Sequence, residues 1–488
     1  MTSRLERITE QRLDSLSRIR ARGIDPYPHS YHPSHAVREA ITIFEQQGES
    51  PQDISLAGRI MAKRSMGRMS FLDIRDSSGK IQLSFRHDIL GRERYEFLQD
   101  IDIGDIIGAE GKLFRTKAGE LTLEVSDFAV LCKSLRPLPE KWHGLSDVEK
   151  RYRQRYLDLI SNEESKNIFA LRSKIITALR SFLDKQGFME VETPVLQPHA
   201  GGALARPFVT HHHALDEDLY LRIALELHLK RLVIGGFDKV YEMGRAFRNE
   251  GISVRHNPEF TLLECYQAYS DYNDMMRLVE EMLAHTAREV LGNTKLACNG
   301  KTIDFSLPWQ RLYLREAIKE YCGIDFEDYR DAASLRSKMV ESGMEVDPGK
   351  GRGRLIDELV STFVEPKLIQ PTFLLDYPVE MSPLAKRKRG NDRLVERFEG
   401  FIAGMEIANA FTELNDPQEQ RERFRQQLKE RVADEEVEIA DEDFLQALEY
   451  GMPPTGGLGI GIDRLVMLLA GQQSVREVIL FPQLRAKE

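Results

Sequence analysis

The sequence predicts an α+β chain of two unlike parts: a small closed barrel near the front, then a larger region in which strands and helices alternate. Three observations lead there. Short segments with period-two alternation crowd between Ile54 and Cys132. A long amphipathic helix begins near Ile168, and the run GRAFRNEGISVRHNPEFTLLECYQAY reads as a strand, a polar loop and a returning strand.

The chain has 488 residues, 41% of them hydrophobic, which allows about three average domains and a sizeable core. The first twenty residues carry charges throughout and lack an apolar leader core. No uncharged apolar run approaches the roughly 20 residues of a membrane span, so a cytoplasmic protein with no membrane partner is expected. Cys132, Cys265, Cys298 and Cys322 are scattered without a CxxC pair, which implies reduced, mostly buried thiols rather than a zinc site or a disulfide framework. The net charge is −10, but residues 1–155 hold 26 Lys and Arg against 23 Asp and Glu. The front is therefore the better place to meet a polyanion.

Residues 1–50 form a helical extension. Leu5, Ile8, Leu13, Leu16 and Ile19 follow a helical stripe that ends at Gly23 and gives way to an irregular crossing at Pro26 and Pro28. In residues 51–135 the segments ISLAGRIMAKR, MSFLDIRD, SGKIQLSF, DIIGAEGKLFR and GELTLEVSDFAVL are parted by turns such as DSSG and TKAG. Five strands in about 80 residues suggest an oligonucleotide-binding (OB) type of barrel, although strand count alone fits another small antiparallel sheet domain equally well.

Residues 136–164 are a linker with two prolines and a basic cluster. The rest, 165–488, opens with a helix bearing Ile168, Leu171, Ile175, Leu179 and Phe182, stopped at Gly187, and continues into MEVETP. A mostly helical insertion spans about 275–370. Neither GxGxxG nor GxxxxGK[ST] occurs, so no Rossmann or P-loop nucleotide site is indicated. His211, His212 and His213 read as a solvated loop, and Lys386–Gly390, KRKRG, as a mobile charged loop.

The chemistry concentrates in three stretches. In the central run, alternation aligns Arg248 with Glu250 before the loop, and Phe260, Leu262, Glu264 and Tyr266 after it. A guanidinium suits a phosphate and an aromatic face suits a base. GGLGIGIDRLVMLL supplies Gly456, Gly457, Gly459 and Gly461 before a helix that carries Arg464, where backbone can approach a ligand and the dipole favours an anion. The third stretch is GFMEVETPVLQP.

In the order GFMEVETPVLQP, FRNE, GGLGIGIDR, these stretches resemble motifs one, two and three of class II aminoacyl-tRNA synthetases. GGALARPF, HHHALDEDLYLRIALEL, YPVEMSPLAKRK and MEIANAFTELNDP extend the resemblance to the bacterial-type lysyl-tRNA synthetases over nearly the whole chain. The resemblance implies a catalytic core of antiparallel sheet flanked by helices, acting as a lysine–tRNA ligase. ATP is then bent over the sheet with Phe260 stacking the adenine, Arg248 on the α-phosphate, and Arg464 with His256 toward the γ-phosphate. Glu250, Arg255 and Gly461 complete the ATP site, and Arg248 and Arg464 are the catalytic residues.

The same resemblance gives Glu399 and Glu406 to Mg²⁺, with up to three ions per site. Lysine falls to Gly202, Glu226, Glu264, Tyr266, Asn409, Phe411 and Glu413, with Glu413 and Tyr266 on the ε-ammonium and Glu226 and Glu264 on the α-amino group. Strict alternation places Asn409, Phe411 and Glu413 on one face but Glu406 on the other, so either a bulge lies near Ala408 or one role is misassigned. The chain departs from the usual family run at Leu225 and His228, where Pro and Tyr are commoner. Further implications are anticodon recognition of lysine tRNA by Arg59, Phe71 and Gln82, and a homodimer built on the Ile168–Phe182 stripe with MEVETP. A protein-lysine ligase with the same core and a non-catalytic RNA-binding paralogue are the alternatives.

Overall fold

A computed structural model describes residues 3–48, 52–139, 147–199, 201–202, 205–298, 300–430 and 441–485. Two compact units make up the chain, Met1–Ser146 and Asp147–Glu488. Residues 140–146 of the expected linker lie outside the described residues.

The first unit opens with helix α1 (Arg4–Ala21), whose start is fixed by a reciprocal Ser3–Glu6 capping box. A second helix, α2 (Val37–Gln47), occupies part of the span expected to cross irregularly. Its Val37 and Ala40 join Ile19 of α1 in the barrel core, so the extension and the barrel share one interior. The barrel strands are β1 (Ile54–Met66), β2 (Met69–Arg75), β3 (Lys80–Arg86), β4 (Ile106–Arg115) and β5 (Leu121–Cys132), closed in the order β1-β2-β3-β5-β4. Alternation turns Leu72, Ile74, Ile81, Leu83 and Phe85 inward, as the sequence predicts. Helix α3 (His87–Phe97) interrupts the strands between β3 and β4, and its Phe97 stacks on Phe128 with ring centroids 5.6 Å apart.

The second unit begins with α4 (Val148–Arg153), α5 (Arg155–Ser161), α6 (Glu163–Lys185) and β6 (Met189–Glu190). A small sheet of β7 (Leu196–Gln197), β8 (Val209–His212) and β9 (Glu217–Leu221) precedes α7 (Glu226–Ile234), β10 (Lys239–Phe247), β11 (Glu259–Ala268) and α8 (Tyr272–Leu291). The hairpin β12 (Lys295–Cys298) and β13 (Lys301–Asp304) leads to β14 (Gln310–Tyr313), α9 (Leu314–Cys322), α10 (Ala332–Glu341) and α11 (Arg352–Leu359). Then follow β15 (Thr372–Pro378), β16 (Arg387–Lys388), β17 (Asn391–Ile402), β18 (Met405–Thr412), α12 (Pro417–Glu430), α13 (Glu442–Glu449), β19 (Thr455–Gly461) and α14 (Ile462–Leu469). The main sheet runs β14-β15-β17-β18-β19-β11-β10-β6, with β16 on β17. It is antiparallel except at its two edges, where β14–β15 and β10–β6 are parallel.

Helices α6, α8 and α14 cover one face of this sheet. Ile175, Leu179, Val279, Met282, Leu465 and Val466 close there against Leu263, Leu458 and Ile460. Ile168 and Phe182 belong to the same core. Ile168, Ile175, Leu179 and Phe182 of the α6 stripe are thus buried within their own subunit, while Leu171 is half-buried, so a second copy would meet other side chains of α6 and MEVETP. Apolar side chains that do stay exposed near MEVETP are Met189, Val195, Leu196 and Val209.

Other expectations also change. KRKRG is a paired turn rather than a loose loop, with Arg387 on Glu419 at 2.7 Å, Lys386 on Asn415 at 2.7 Å and Lys388 on Asp376. His211 lies in a β8 strand rather than a loop and bonds Asp218 at 2.8 Å. Of the four thiols only Cys265 is buried and the other three are half-buried. Among the described residues no helix is long and apolar enough to cross a membrane.

Candidate active site

The face of the sheet opposite the core carries the site, and two strands explain its shape. On β11, Phe260, Leu262, Glu264 and Tyr266 alternate onto this face, as the sequence predicts. Their β19 neighbours are glycines: Leu262 pairs with Gly461, Glu264 with Gly459 and Tyr266 with Gly457. Between those glycines, Leu458 and Ile460 turn into the core. The sequence GGLGIG is therefore a period-two strand whose outer face is bare backbone. At Gly459 an added Cβ would meet Asn409 O and Glu264 Cγ at 3.8 Å, ordinary contact, so a side chain would fit but would take up room in the cavity that Gly459 lines. At Gly457 the reason differs, because a Cβ would collide with Glu413 and Tyr266.

Strand β18 resolves the face conflict with a bulge. Gly400 pairs with Ala408 but Phe401 pairs with Glu406, which leaves Ile407 as the extra residue beside Ala408. Asn409 and Phe411 face the site, and the bulge lets Glu406 line it as well. Arg464, in the first turn of α14, donates to the Glu406 carboxylate at 2.9 Å and to its carbonyl at 3.0 Å. Asp463 beside it is buried, accepting from Arg172 of α6 at 2.6 Å and from the Thr261 amide at 2.7 Å. Helix α6, strand β11 and helix α14 are thus joined at one point.

A cavity of about 450 Å³ opens over this face. It is lined by Arg248, Glu250, Arg255, His256 and Phe260, by Glu406, Gly461 and Arg464, and by Gly202, Glu226, Glu264, Tyr266, Asn409 and Phe411. Strand β10 stops at Phe247, so Arg248 and Glu250 sit in the loop rather than on a strand face; the Arg248 amide donates to Pro258 O at 2.8 Å. The Arg248 guanidinium lies over the Phe260 ring, 5.0 Å from its centroid. A base stacked on that side displaces it, and a base on the other side leaves it in place. Burial pulls the Arg248 pKa below its ordinary value, against the opposing carboxylates of Glu250 and Glu406. Burial, then Arg464, lowers His256 as well, favouring the neutral ring.

Glu399 does not line the cavity. Its carboxylate accepts from Tyr377 at 2.8 Å and from Arg397 at 2.5 Å, and Arg397, which does line it, also donates to Asn409 at 3.1 Å. Burial raises the Glu399 carboxyl to about 7; Arg397 opposes this and Glu406 adds to it. Among the described residues no cluster of three or more His, Cys, Asp or Glu side chains could hold a metal ion.

Glu413 is also outside the lining, 1% exposed beneath Gly457. Its neighbour is Lys230, which contacts Glu413 and lies 2.5 Å from Glu226. The Tyr266 hydroxyl donates to Glu264 at 3.1 Å rather than to Glu413. Burial, reinforced by Glu226, lifts the Glu264 carboxyl to about 7. The sequence reading missed Lys230, Arg397 and Asp463; the signal for Lys230 was its place one helical turn after Glu226.

Residues 147–485 match the model of the class II tRNA synthetases of the D, K and N group, and residues 54–131 match that of the OB-fold nucleic acid binding domain. The chain belongs to the class II tRNA synthetases. It is 58% identical to a lysine–tRNA ligase of Dehalococcoides mccartyi over 99% of this chain and 98% of that protein. The corresponding ligase of Moorella thermoacetica is 58% identical over 98% and 97%, and that of Carboxydothermus hydrogenoformans 54% over 99% of both.

The synthetase's OB barrel places Arg59, Phe71 and Gln82 unequally. Register puts Phe71 opposite Arg64 and Ser84, on the outer face and half-buried, while the barrel core takes Leu72 and Ile74. Phe71 is therefore not a core residue. Gln82 shares that face but is 6% exposed, and its amide is occupied by Glu120 at 3.0 Å and Thr122 at 3.1 Å. Reading a base edge would require it to exchange these partners. Arg59 donates to Gly104 O at 2.7 Å.

Proposed function

We propose that this chain joins L-lysine to the 3′ end of lysine tRNA in two steps, through a lysyl-adenylate formed from ATP. The observation that carries the amino-acid choice is the buried acidic group of Glu226, Glu264 and Glu413. Both Glu413 oxygens are buried without a hydrogen-bond donor of good geometry; among the described residues Oε2 has Lys230 as its ionic contact and Oε1 is not paired with a cation. An orphaned buried carboxylate oxygen is costly, and a substrate ammonium relieves it. A substrate with a side-chain carboxylate would meet like charges here at a cost of several kcal/mol.

In the first step the lysine carboxylate attacks the α-phosphate in line and pyrophosphate leaves; in the second the terminal ribose hydroxyl of the tRNA attacks the adenylate. No protein nucleophile is required. Arg248 faces the α-phosphate, Arg464 with His256 the γ-phosphate, and Phe260 the adenine, so the chain contributes positioning and fixed charge. Glu250, Arg255 and Gly461 complete that nucleotide site, and Gly202, Asn409 and Phe411 the wall of the lysine pocket.

Glu399 and Glu406 fit Mg²⁺ as a partial ligand set. Glu406 is close enough to add to the rise of the Glu399 carboxyl, and two carboxylates demand further oxygens such as those of a triphosphate. Bound there, Mg²⁺ would screen phosphate charge. The barrel would take a U-rich anticodon on Phe71, and Met189, Val195, Leu196 and Val209 would meet a second copy in a cytoplasmic homodimer.

The barrel distinguishes this chain from protein-lysine ligases, which have the core without it. The retained Arg248, Glu399, Glu406 and Arg464 oppose a non-catalytic paralogue. Exchange of labelled pyrophosphate into ATP, run with each of the twenty amino acids and followed by charging of lysine tRNA, tests the reading. Lysine alone should support both reactions; exchange with another amino acid, or none, would refute it.

A further inference from the structure

Lys230 is a fully buried cation that none of the assigned roles uses. It stands on α7 one turn after Glu226, with Nζ 2.5 Å from Glu226 Oε1 and in contact with Glu413 Oε2. The rings of Phe411 and Phe444 close over it at 5.5 and 5.9 Å. Lys230 does not line the cavity, whereas Glu226 does, so it approaches the carboxylates from the protein side. Its neighbour Arg231 is turned away, onto Asp441 and Asp443.

We propose that Lys230 is a positioning residue that sets the charge of the amino-acid pocket, neutralising one of its three carboxylates so that two remain for the two ammonium groups of lysine. The proposal rests on the lysine reading of the cavity. Glu226 faces this cluster from α7, Glu264 and Tyr266 from β11, and Glu413 from the end of β18; Phe444 of α13 adds no charge. Arg248 acts on Glu264 from the loop side.

Three carboxylates in one buried space repel, and burial favours the proton on Glu264 and Glu413. Burial drives the Glu413 carboxyl upward, and Lys230 is the largest opposing influence. In return, burial disfavours the Lys230 charge, but Glu226 and Glu413 overcome this and hold it protonated. The Glu413 carboxyl stays raised even beside Lys230; without Lys230 it would hold its proton more tightly still and offer the ε-ammonium less negative charge. With it, a lysine substrate balances the pocket, while an amino acid bearing a neutral side chain leaves one carboxylate uncompensated.

The test uses the full-length chain and the variants Lys230→Met and Lys230→Arg. Lysine binding is measured by calorimetry without ATP, and the KM values for lysine and ATP by pyrophosphate exchange from pH 6 to 9. Lys230→Met should raise the lysine KM about tenfold or more at pH 7, the size of a one-unit carboxyl displacement, and leave the ATP KM in place. Its lysine affinity should recover as pH rises, at higher pH than in the parent, and Lys230→Arg should restore most of the loss.

An unchanged lysine KM and pH profile in folded Lys230→Met, or equal losses for lysine and ATP, would overturn the proposal. If Lys230→Met does not fold, the neutral pair Lys230→Met with Glu413→Gln should, and failure of that pair to fold also overturns it. A parent chain that binds no lysine refutes the lysine reading itself, which separates the two failures.

Discussion

In the second unit the charged groups in and around the cavity are half-buried or buried and tied to one another, whereas on the barrel Arg59 and Gln82 are bound to their own scaffold. Arg397 ties Glu399 to Asn409, Arg464 ties Glu406 to α14, and Lys230 ties Glu226 to Glu413. On the barrel, Arg59 is spent on a backbone carbonyl and Gln82 on Glu120 and Thr122, which leaves the Phe71 ring as the most available group. A site that stabilises developing charge gains from groups fixed in advance in a dry place. A surface that reads an unstacked base needs a flat apolar ring more than a fixed charge. If that contrast holds, damage to the cavity should be large and should separate by substrate, and damage to the barrel smaller and confined to tRNA.

The sharpest way to break the contrast is Arg248→Ala. It removes a preorganised donor at the α-phosphate and should cost about 2.7 to 4 kcal/mol in adenylate formation, the range typical for such a donor. Lysine-dependent pyrophosphate exchange near the parental rate would show that the guanidinium over Phe260 is structural.

Glu413→Gln should come next. It removes the charge opposite the ε-ammonium and should weaken lysine by about 1.5 to 3 kcal/mol while sparing ATP. Binding measured separately for each substrate decides the point, because equal losses would mean that Glu413 only supports Lys230 and Gly457.

Phe71→Ala should cost about 1 to 3 kcal/mol in tRNA binding, through lost stacking, and leave pyrophosphate exchange intact. Unchanged charging of lysine tRNA by the folded variant would remove the barrel face from the contrast altogether.

How much of this was legible in the sequence depended on whether a feature is local. The strand, loop and strand of motif two follow from period-two alternation, and so does the GGLGIG strand once its glycines and apolar residues are assigned to opposite faces. The face conflict between Glu406 and Asn409 left two ways out, a bulge near Ala408 or a misassigned role, and the strand takes the bulge. What was not legible has the opposite property. Nothing in the α6 stripe says whether its own core or a second copy covers it, and burial gives Ile168, Ile175, Leu179 and Phe182 to its own core. The cations of KRKRG find Asp376, Asn415 and Glu419 only after the chain folds back. Lys230 is one turn from Glu226 in sequence, but its meaning comes from Glu413, brought beside it by tertiary closure.

Within one pH unit of neutrality the smallest effect is a pH dependence, at most about 1.4 kcal/mol, and it probes the cavity side of the contrast directly. Burial, then Glu226, lifts the Glu264 carboxyl from its ordinary 4.5 to about 7. The folded chain therefore holds this proton more tightly than the unfolded chain does, so the group's contribution to stability falls as pH rises from about 4.5 toward 7. A bound α-ammonium reverses the balance by favouring the carboxylate. Lysine affinity should rise by up to about tenfold per pH unit below 7 and level off above it, and a proton should be released on binding. Calorimetry in two buffers of different ionisation heat detects that proton, and the lysine-induced rise in Tm should grow over the same interval. Glu264→Gln should abolish both the slope and the released proton. A slope that persists in this variant would place the titrating group elsewhere, with Glu413 the first to examine.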